Sequence, residues 1–253
     1  MAARLEALRD LWELDQPTIG GWCAIPSAIS AELLGVAGFD WVVIDAQHGL
    51  VGFEDLAVML PALSNAGVPA LVRVPWNEPS AIMKALDAGA QGVIVPMVNS
   101  PEDARLATEA CRFPPRGNRS WGPVRPSLYD QEYAPATANR NVICAVMVET
   151  VDAVASVDDI LAVPGIDAVF VGPSDLAISA GFLPSADPTE PVHLELIETV
   201  LKACKARGIV AGIACGNAGL VRRWRDEGFR MLAVPSDMSL LSDAAAQLLR
   251  DIG

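Results

Sequence analysis

Short runs dominated by Val, Ile and Ala alternate along this chain with longer stretches in which apolar residues recur at helical spacing. Each short run is bounded by Gly, Pro, Asp or Asn, the residues that close strands. Eight such runs predict strands over 21–25, 41–46, 70–74, 92–98, 142–148, 168–172, 210–214 and 231–235. They are apolar on both faces, as in a parallel sheet covered on each side; a strand with one wet face would alternate polar and apolar residues. Helical spacing runs over 53–66, 79–88, 101–111, 151–163, 192–207, 218–227 and 238–252, and residues 1–16 read as a further amphipathic helix. Turns such as Ala66-Gly67-Val68 and Glu227-Gly228-Phe229 place a glycine where a helix must stop before the next strand.

Eight strand–helix units in 253 residues predict a single (β/α)₈ TIM barrel spanning 1–253, with an open doubly wound sheet as the second choice. No linker divides the chain. Its longest irregular piece, 113–141, is a candidate lid or subunit contact. A hydrophobic share of 52% against 19% charged residues is ample for a large core, and a net charge of −13 leaves no basic surface for nucleic acid. The charges within 1–16 interrupt what a signal peptide would keep apolar, and no stretch has the length of a membrane span. Cys23, Cys111, Cys144, Cys204 and Cys215 are odd in number and unpaired in spacing, as expected of buried thiols in the cytoplasm.

In a barrel of this kind chemistry gathers at the carboxyl ends of the strands. Four ends carry polar residues: Asp45-Ala46-Gln47-His48 after the second, Arg73 in the third, Glu149 after the fifth, and Gly172-Pro173-Ser174-Asp175 after the sixth. Glu149 and Asp175 close adjacent strands, so two carboxylates would share one volume. A hard divalent ion relieves their repulsion, with Mg²⁺ or Mn²⁺ the usual guests of such a pair; alternatively, either residue caps the helix that follows. His48 reads as a general base oriented by Asp45 or as a loop histidine. Arg73, inside an apolar run, needs an anion, either a structural carboxylate or a substrate oxygen. Gly172, Pro173, Ser174 and Asp175 lead into a helix whose free amides suit a carboxylate or phosphate. Asp87 lies in a helical pattern and His193 just before one; both are expected on the surface.

The segments A-E-L-L-G-V-A-G-F-D-W-V-V-I-D-A-Q-H-G, L-V-R-V-P-W-N-E-P, A-L-D-A-G-A-Q-G-V-I-V-P-M-V, R-F-P-P-R-G-N-R-S-W-G, V-M-V-E-T and G-I-D-A-V-F-V-G-P-S-D-L together resemble the HpcH/HpaI aldolase family over nearly the whole chain. The resemblance implies a metal-dependent, class II pyruvate-type aldolase with no Schiff-base lysine and no organic cofactor. It cleaves 4-hydroxy-2-oxo acids reversibly to pyruvate or hydroxypyruvate plus an aldehyde, using Mg²⁺, Mn²⁺ or Co²⁺. It also implies Glu149 and Asp175 as metal ligands, His48 as acid/base, Arg73 at the enolate oxygen, Asp87 raising the basicity of the histidine, and Asp45 in substrate choice. Substrate would meet the turn Gly172 to Asp175. Members are typically homohexamers with an exchanged C-terminal helix, here 238–252. Gln47, Met147 and Ser120 depart from the common pattern; Met147 cannot donate a strong hydrogen bond to substrate, which bears on the choice of donor.

Two readings stand beside this one. A CoA-ester lyase of the citrate-lyase type shares the scaffold but is disfavoured by the short chain and the Gln47-His48 motif. A non-catalytic oxo-acid-binding barrel would be expected to lack one of His48, Arg73, Glu149 and Asp175, and none is missing.

Overall fold

Eight parallel strands pair each with its successor, and the last pairs with the first, closing a barrel. The computed structural model describes residues 2–253, with side chains from residue 5 onward. In chain order the elements are α1 (Ala2–Glu13), β1 (Thr18–Cys23), α2 (Ala28–Val36), β2 (Trp41–Asp45), α3 (Phe53–Ala66), β3 (Ala70–Arg73), α4 (Pro79–Asp87), β4 (Gly92–Val95) and α5 (Pro101–Ala110). They continue through α6 (Pro126–Tyr129), α7 (Pro135–Asn141), β5 (Ile143–Val148), α8 (Val151–Ala155), α9 (Val157–Leu161), β6 (Ala168–Val171) and α10 (Pro173–Ser179). The last are α11 (Pro191–Arg207), β7 (Val210–Ala214), α12 (Ala218–Glu227), β8 (Met231–Ser236) and α13 (Asp237–Ile252). The fold is the (β/α)₈ barrel that the pattern predicts.

Alternation along each strand sorts the core into two layers. Trp41, Val43, Leu71, Ile94, Ala145, Met147 and Phe170 fill the barrel interior. Their neighbours Val42, Ile44, Val72, Val93, Val146 and Val169 pack outward against the helices. At the base, Leu5, Leu8 and Trp12 of α1 join the inner layer. Trp12 and Trp41 both donate their indole N–H to Thr18 Oγ1, at 3.0 and 3.1 Å. The helix expected over 1–16 is therefore the plug of the barrel floor; Met1 lies outside the described residues.

Several boundaries differ for physical reasons. β1 begins at Thr18 rather than 21 because Gly20 and Gly21, poor strand formers, sit within it. A Cβ on Gly20 would lie 2.3 Å from the Trp41 ring, so the glycine makes room for that indole. β4 stops at Val95, short of the expected 98, because Pro96 follows and Met97 turns to a left-handed backbone with φ 56°. The segment 113–141 connects α5 to β5 and so lies at the base, opposite the strand ends where a lid would be needed. It holds α6 and α7 and is laced by Phe113–Trp121 and Trp121–Tyr133 ring contacts. All the cysteines are buried and free, and among the described residues no helix is long and apolar enough to cross a membrane.

Candidate active site

The period that sends Trp41 and Val43 inward also sends Asp45 inward at the end of β2, and Leu71 is likewise followed by Arg73 on β3. The strand register pairs Asp45 with Arg73. Arg73 donates from Nε to Asp45 Oδ1 at 2.8 Å and from Nη2 to Oδ2 at 2.6 Å, a bidentate ion pair in a nearly dry setting. Asp45 also accepts from Trp22 Nε1 at 3.1 Å and from the amides of Gln47 and His48 at 3.1 and 3.2 Å. Burial presses its pKa upward, yet the Arg73 guanidinium, helped by the Trp22 and His48 donors, holds it below the usual carboxylate value. Arg73 lies 4.9 Å over the Trp22 ring. The anion that Arg73 requires is thus structural. Asp45 meets His48 through its main-chain N–H, not its imidazole, which faces the mouth without a hydrogen bond to protein.

On the far side of the barrel Val148 pairs with Val171, so Glu149 and Gly172 stand side by side one residue further on. Glu149 is only 2% exposed and accepts the Met97 amide on Oε1 at 2.8 Å. Its pKa is raised to about 7, first by burial and further by nearby Asp175, against the opposing pull of the Met97 amide and Arg73. The alternative that these carboxylates serve the helices that follow divides: Glu149 is no cap, whereas Asp175 is the acidic residue in the first turn of α10, where it also suits the helix dipole. Thr150 caps α8 through its side chain, and Gly172 stands at the cap of α10. Asp175 occupies the first turn of α10, exposed and without a hydrogen bond from protein.

A divalent cation fits this pair. A Cβ on residue 172 would come 2.5 Å from Glu149 Oε2, so glycine there keeps a cradle open beside the carboxylate. The donors are hard oxygens, and their mutual repulsion is what such an ion relieves. Among the described residues no group of three or more His, Cys, Asp and Glu gathers as a metal cluster.

Around these groups opens a cavity of about 380 Å³ whose walls include Trp22, Asp45, His48, Arg73, Met147, Phe170, Gly172, Pro173, Ser174 and Asp175. Cys215 also lines it, but burial pushes its thiol up to about 12, which leaves no thiolate nucleophile at neutral pH. Lys84, Lys202 and Lys205 lie on the outer helices α4 and α11, so no amine faces the cavity.

Two residues lie elsewhere than the sequence suggested. Asp87 ends α4 at the base of the barrel and pairs with Arg119 at 2.5 Å, so one chain does not bring it to His48. His193, expected on the surface, is 1% exposed in the first turn of α11, and burial lowers its pKa against the opposing pull of the Pro173 backbone. Trp22, Phe170 and Met97 join the site without having been singled out. The first two read as ordinary core residues, and a left-handed methionine leaves no mark in a sequence.

The model of the HpcH/HpaI aldolase/citrate lyase family matches residues 18–244. A hydroxypyruvate/pyruvate aldolase of Rhizorhabdus wittichii is 41% identical over 98% of this chain and 98% of its own. A 2-dehydro-3,6-dideoxy-6-sulfogluconate aldolase of Pseudomonas putida is 38% identical over 91% of each chain. A solved structure of an HpcH/HpaI aldolase/citrate lyase family protein from Burkholderia cenocepacia superposes with a TM-score of 0.90 at 35% identity, covering 100% of this chain and 99% of that one.

Proposed function

We propose that this chain, which belongs to the HpcH/HpaI aldolase/citrate lyase family and is a carbon–carbon lyase of the aldolase type, uses a divalent metal ion held by Glu149 and Asp175 to cleave 4-hydroxy-2-oxo acids reversibly to pyruvate or hydroxypyruvate plus an aldehyde. The observation that carries the reading is the buried Glu149, one carboxylate oxygen held by the Met97 amide and the other facing the space beside Gly172, with Asp175 nearby; burial and Asp175 both raise its pKa. A charge so costly to bury calls for a cation as its partner. The oxygen donors accept Mg²⁺, Mn²⁺ or Co²⁺.

When bound, the ion supplies Lewis acidity at the 2-oxo acid's carboxylate and carbonyl. The turn Gly172-Pro173-Ser174-Asp175 offers its polar edge to the substrate carboxylate. As the C3–C4 bond breaks, His48, directly or through a water, takes the proton of the C4 hydroxyl and the aldehyde departs. The bonding pair stays on the three-carbon fragment as an enolate, and Arg73 stabilises its developing oxygen charge. Asp45 fixes the plane of the guanidinium and thereby its aim. A proton returned to C3 completes the product. Met147 lines the donor side with a thioether, so selection there works by shape rather than by hydrogen bonding.

The chain works in the cytoplasm as a homohexamer. Leu240, Leu241, Leu248, Leu249 and Ile252 of α13 are exposed on the single chain, which supports the packing of that helix on another copy. Asp87 would reach a His48 only from such a copy. Light scattering tests the assembly. The chemistry is tested by NMR of proton exchange at C3 of pyruvate, with enzyme stripped by chelator, then resupplied with each metal, beside Glu149→Ala. Exchange that needs both metal and Glu149 is the expected result; none with pyruvate or hydroxypyruvate under any metal would refute the reading.

A further inference from the structure

Glu149 directly follows β5, yet the group that fixes its carboxylate comes from the loop after β4. Pro96 ends that strand, and Met97 adopts a left-handed backbone, φ 56°, which a residue with a side chain rarely takes. The turn aims the Met97 N–H at Glu149 Oε1, 2.8 Å away. The next residue continues the attachment: the Val98 amide donates to the Met147 carbonyl at 3.3 Å. Asn99 then closes the loop in two directions. Its Nδ2 donates to the Met97 carbonyl at 3.2 Å, and its Oδ1 accepts the Thr150 hydroxyl at 2.5 Å. The Asn99 amide is in turn held by Asp103 of α5 at 3.1 Å. Residues 97–99 thus bind the stretch 147–150 at three successive points, with Glu149 at the centre.

We infer that this loop is a strap that sets the aim of Glu149, with Asn99 as its positioning residue. The unfavourable conformation of Met97 persists because Asn99, itself held by Thr150, fixes the Met97 carbonyl on the other side of the same Cα. One carboxylate oxygen of Glu149 is occupied by the Met97 amide, and the other, Oε2, is left toward the space that Gly172 keeps open. Without Asn99, Met97 can relax toward an ordinary φ, its N–H turns away, and Glu149 loses its fixed orientation. Partners that orient ligating groups in this way typically contribute about 10–100-fold to metal affinity or activity.

The inference rests on Glu149 serving as a metal ligand, so the test carries a control for that reading. Mn²⁺ binding is measured by electron paramagnetic resonance on the full-length protein for Asn99→Ala, Asn99→Asp, Thr150→Val, Thr150→Ser and Glu149→Ala. Amide hydrogen exchange of the metal-free protein is followed over 96–100. Asn99→Ala and Thr150→Val are expected to weaken Mn²⁺ binding about 10-fold or more and to speed exchange of the Met97 amide. Thr150→Ser, which keeps the hydroxyl, should restore both; Asn99→Asp, which keeps only the acceptor, should fall between. A merely structural asparagine would lower the melting temperature and leave Mn²⁺ affinity in the folded fraction unchanged. If Asn99→Ala does not fold, Asn99→Asp decides the matter, because Thr150→Val also removes the Thr150 cap of α8. Parental Mn²⁺ affinity in Thr150→Val, with Glu149→Ala impaired, overturns the strap. Parental affinity in Glu149→Ala overturns the ligand assignment and the strap with it.

Discussion

Proton linkage at Glu149 gives the sharpest test of the proposed metal site. Its pKa stands at about 7 in the folded chain against 4.5 for the ordinary group. At 1.36 kcal/mol per unit, that difference corresponds to about 3 kcal/mol of cost for ionising the buried acid. The sign follows directly. Below pH 4.5 Glu149 is protonated in both folded and unfolded chains; between 4.5 and about 7 the unfolded chain ionises first, so the metal-free protein loses up to that amount of stability as pH rises. Metal binding needs the carboxylate, so between pH 5 and 7 the association constant should climb close to tenfold per pH unit and then level off. Near one proton should leave per ion bound at pH 6, and almost none at pH 8. Titration calorimetry in buffers of different ionisation enthalpy measures the release, and urea melts of metal-free parent and Glu149→Gln at pH 5 and 7.5 measure the stability. Affinity independent of pH over 5.5–7, or a proton release that survives in Glu149→Gln, would refute the argument.

Other substitutions probe the rest of the site. Arg73→Met should lower C3 exchange by about 10²–10³-fold, the usual loss for one oxyanion donor. Arg73→Lys should recover only part of it, since an ammonium cannot reproduce the two-point pairing with Asp45; exchange rates by NMR decide. Gly172→Ala has an allowed backbone, φ −97° and ψ 90°, but its methyl would meet Glu149 Oε2, so Mn²⁺ affinity should fall at least tenfold in a protein whose denaturation midpoint is little changed. Asp87→Asn removes the partner of Arg119, whose side chain is 2% exposed, and should destabilise by about 3–5 kcal/mol in urea melts.

The barrel was legible because its information is local and repeated. Each strand is a short two-faced apolar run and each helix a stripe, and eight copies of one motif leave few ways to close. What the residues themselves did not disclose was pairing across the mouth. The sequence offered Arg73 either a structural or a substrate anion, and only the register of β2 against β3 places Asp45 opposite it. Likewise Glu149 was a plausible cap until Thr150 proved to occupy that position, while Asp175 does stand in the first turn of α10.

Two misplacements follow from the same limit. His193 reads as exposed because its neighbours Pro191 and Glu195 are typical of a helix start, yet the packing of α11 against α10 buries it beneath Pro173. The resemblance implies a role for Asp87 beside the histidine, while chain connectivity takes it to the floor of its own barrel. A residue can match a motif and still lie at the opposite end of the barrel from the group it is implied to serve, because sequence gives order and not proximity. The two statements agree if the floor of one barrel meets the mouth of another. In that arrangement the aromatic loop 113–141, useless as a lid for its own mouth, would lie beside Asp87 and Arg119 at the contact. The pH profile of C3 exchange should then shift in Asp87→Asn protein whose light scattering matches the parent's, and a profile identical to the parent's would separate Asp87 from the chemistry of His48.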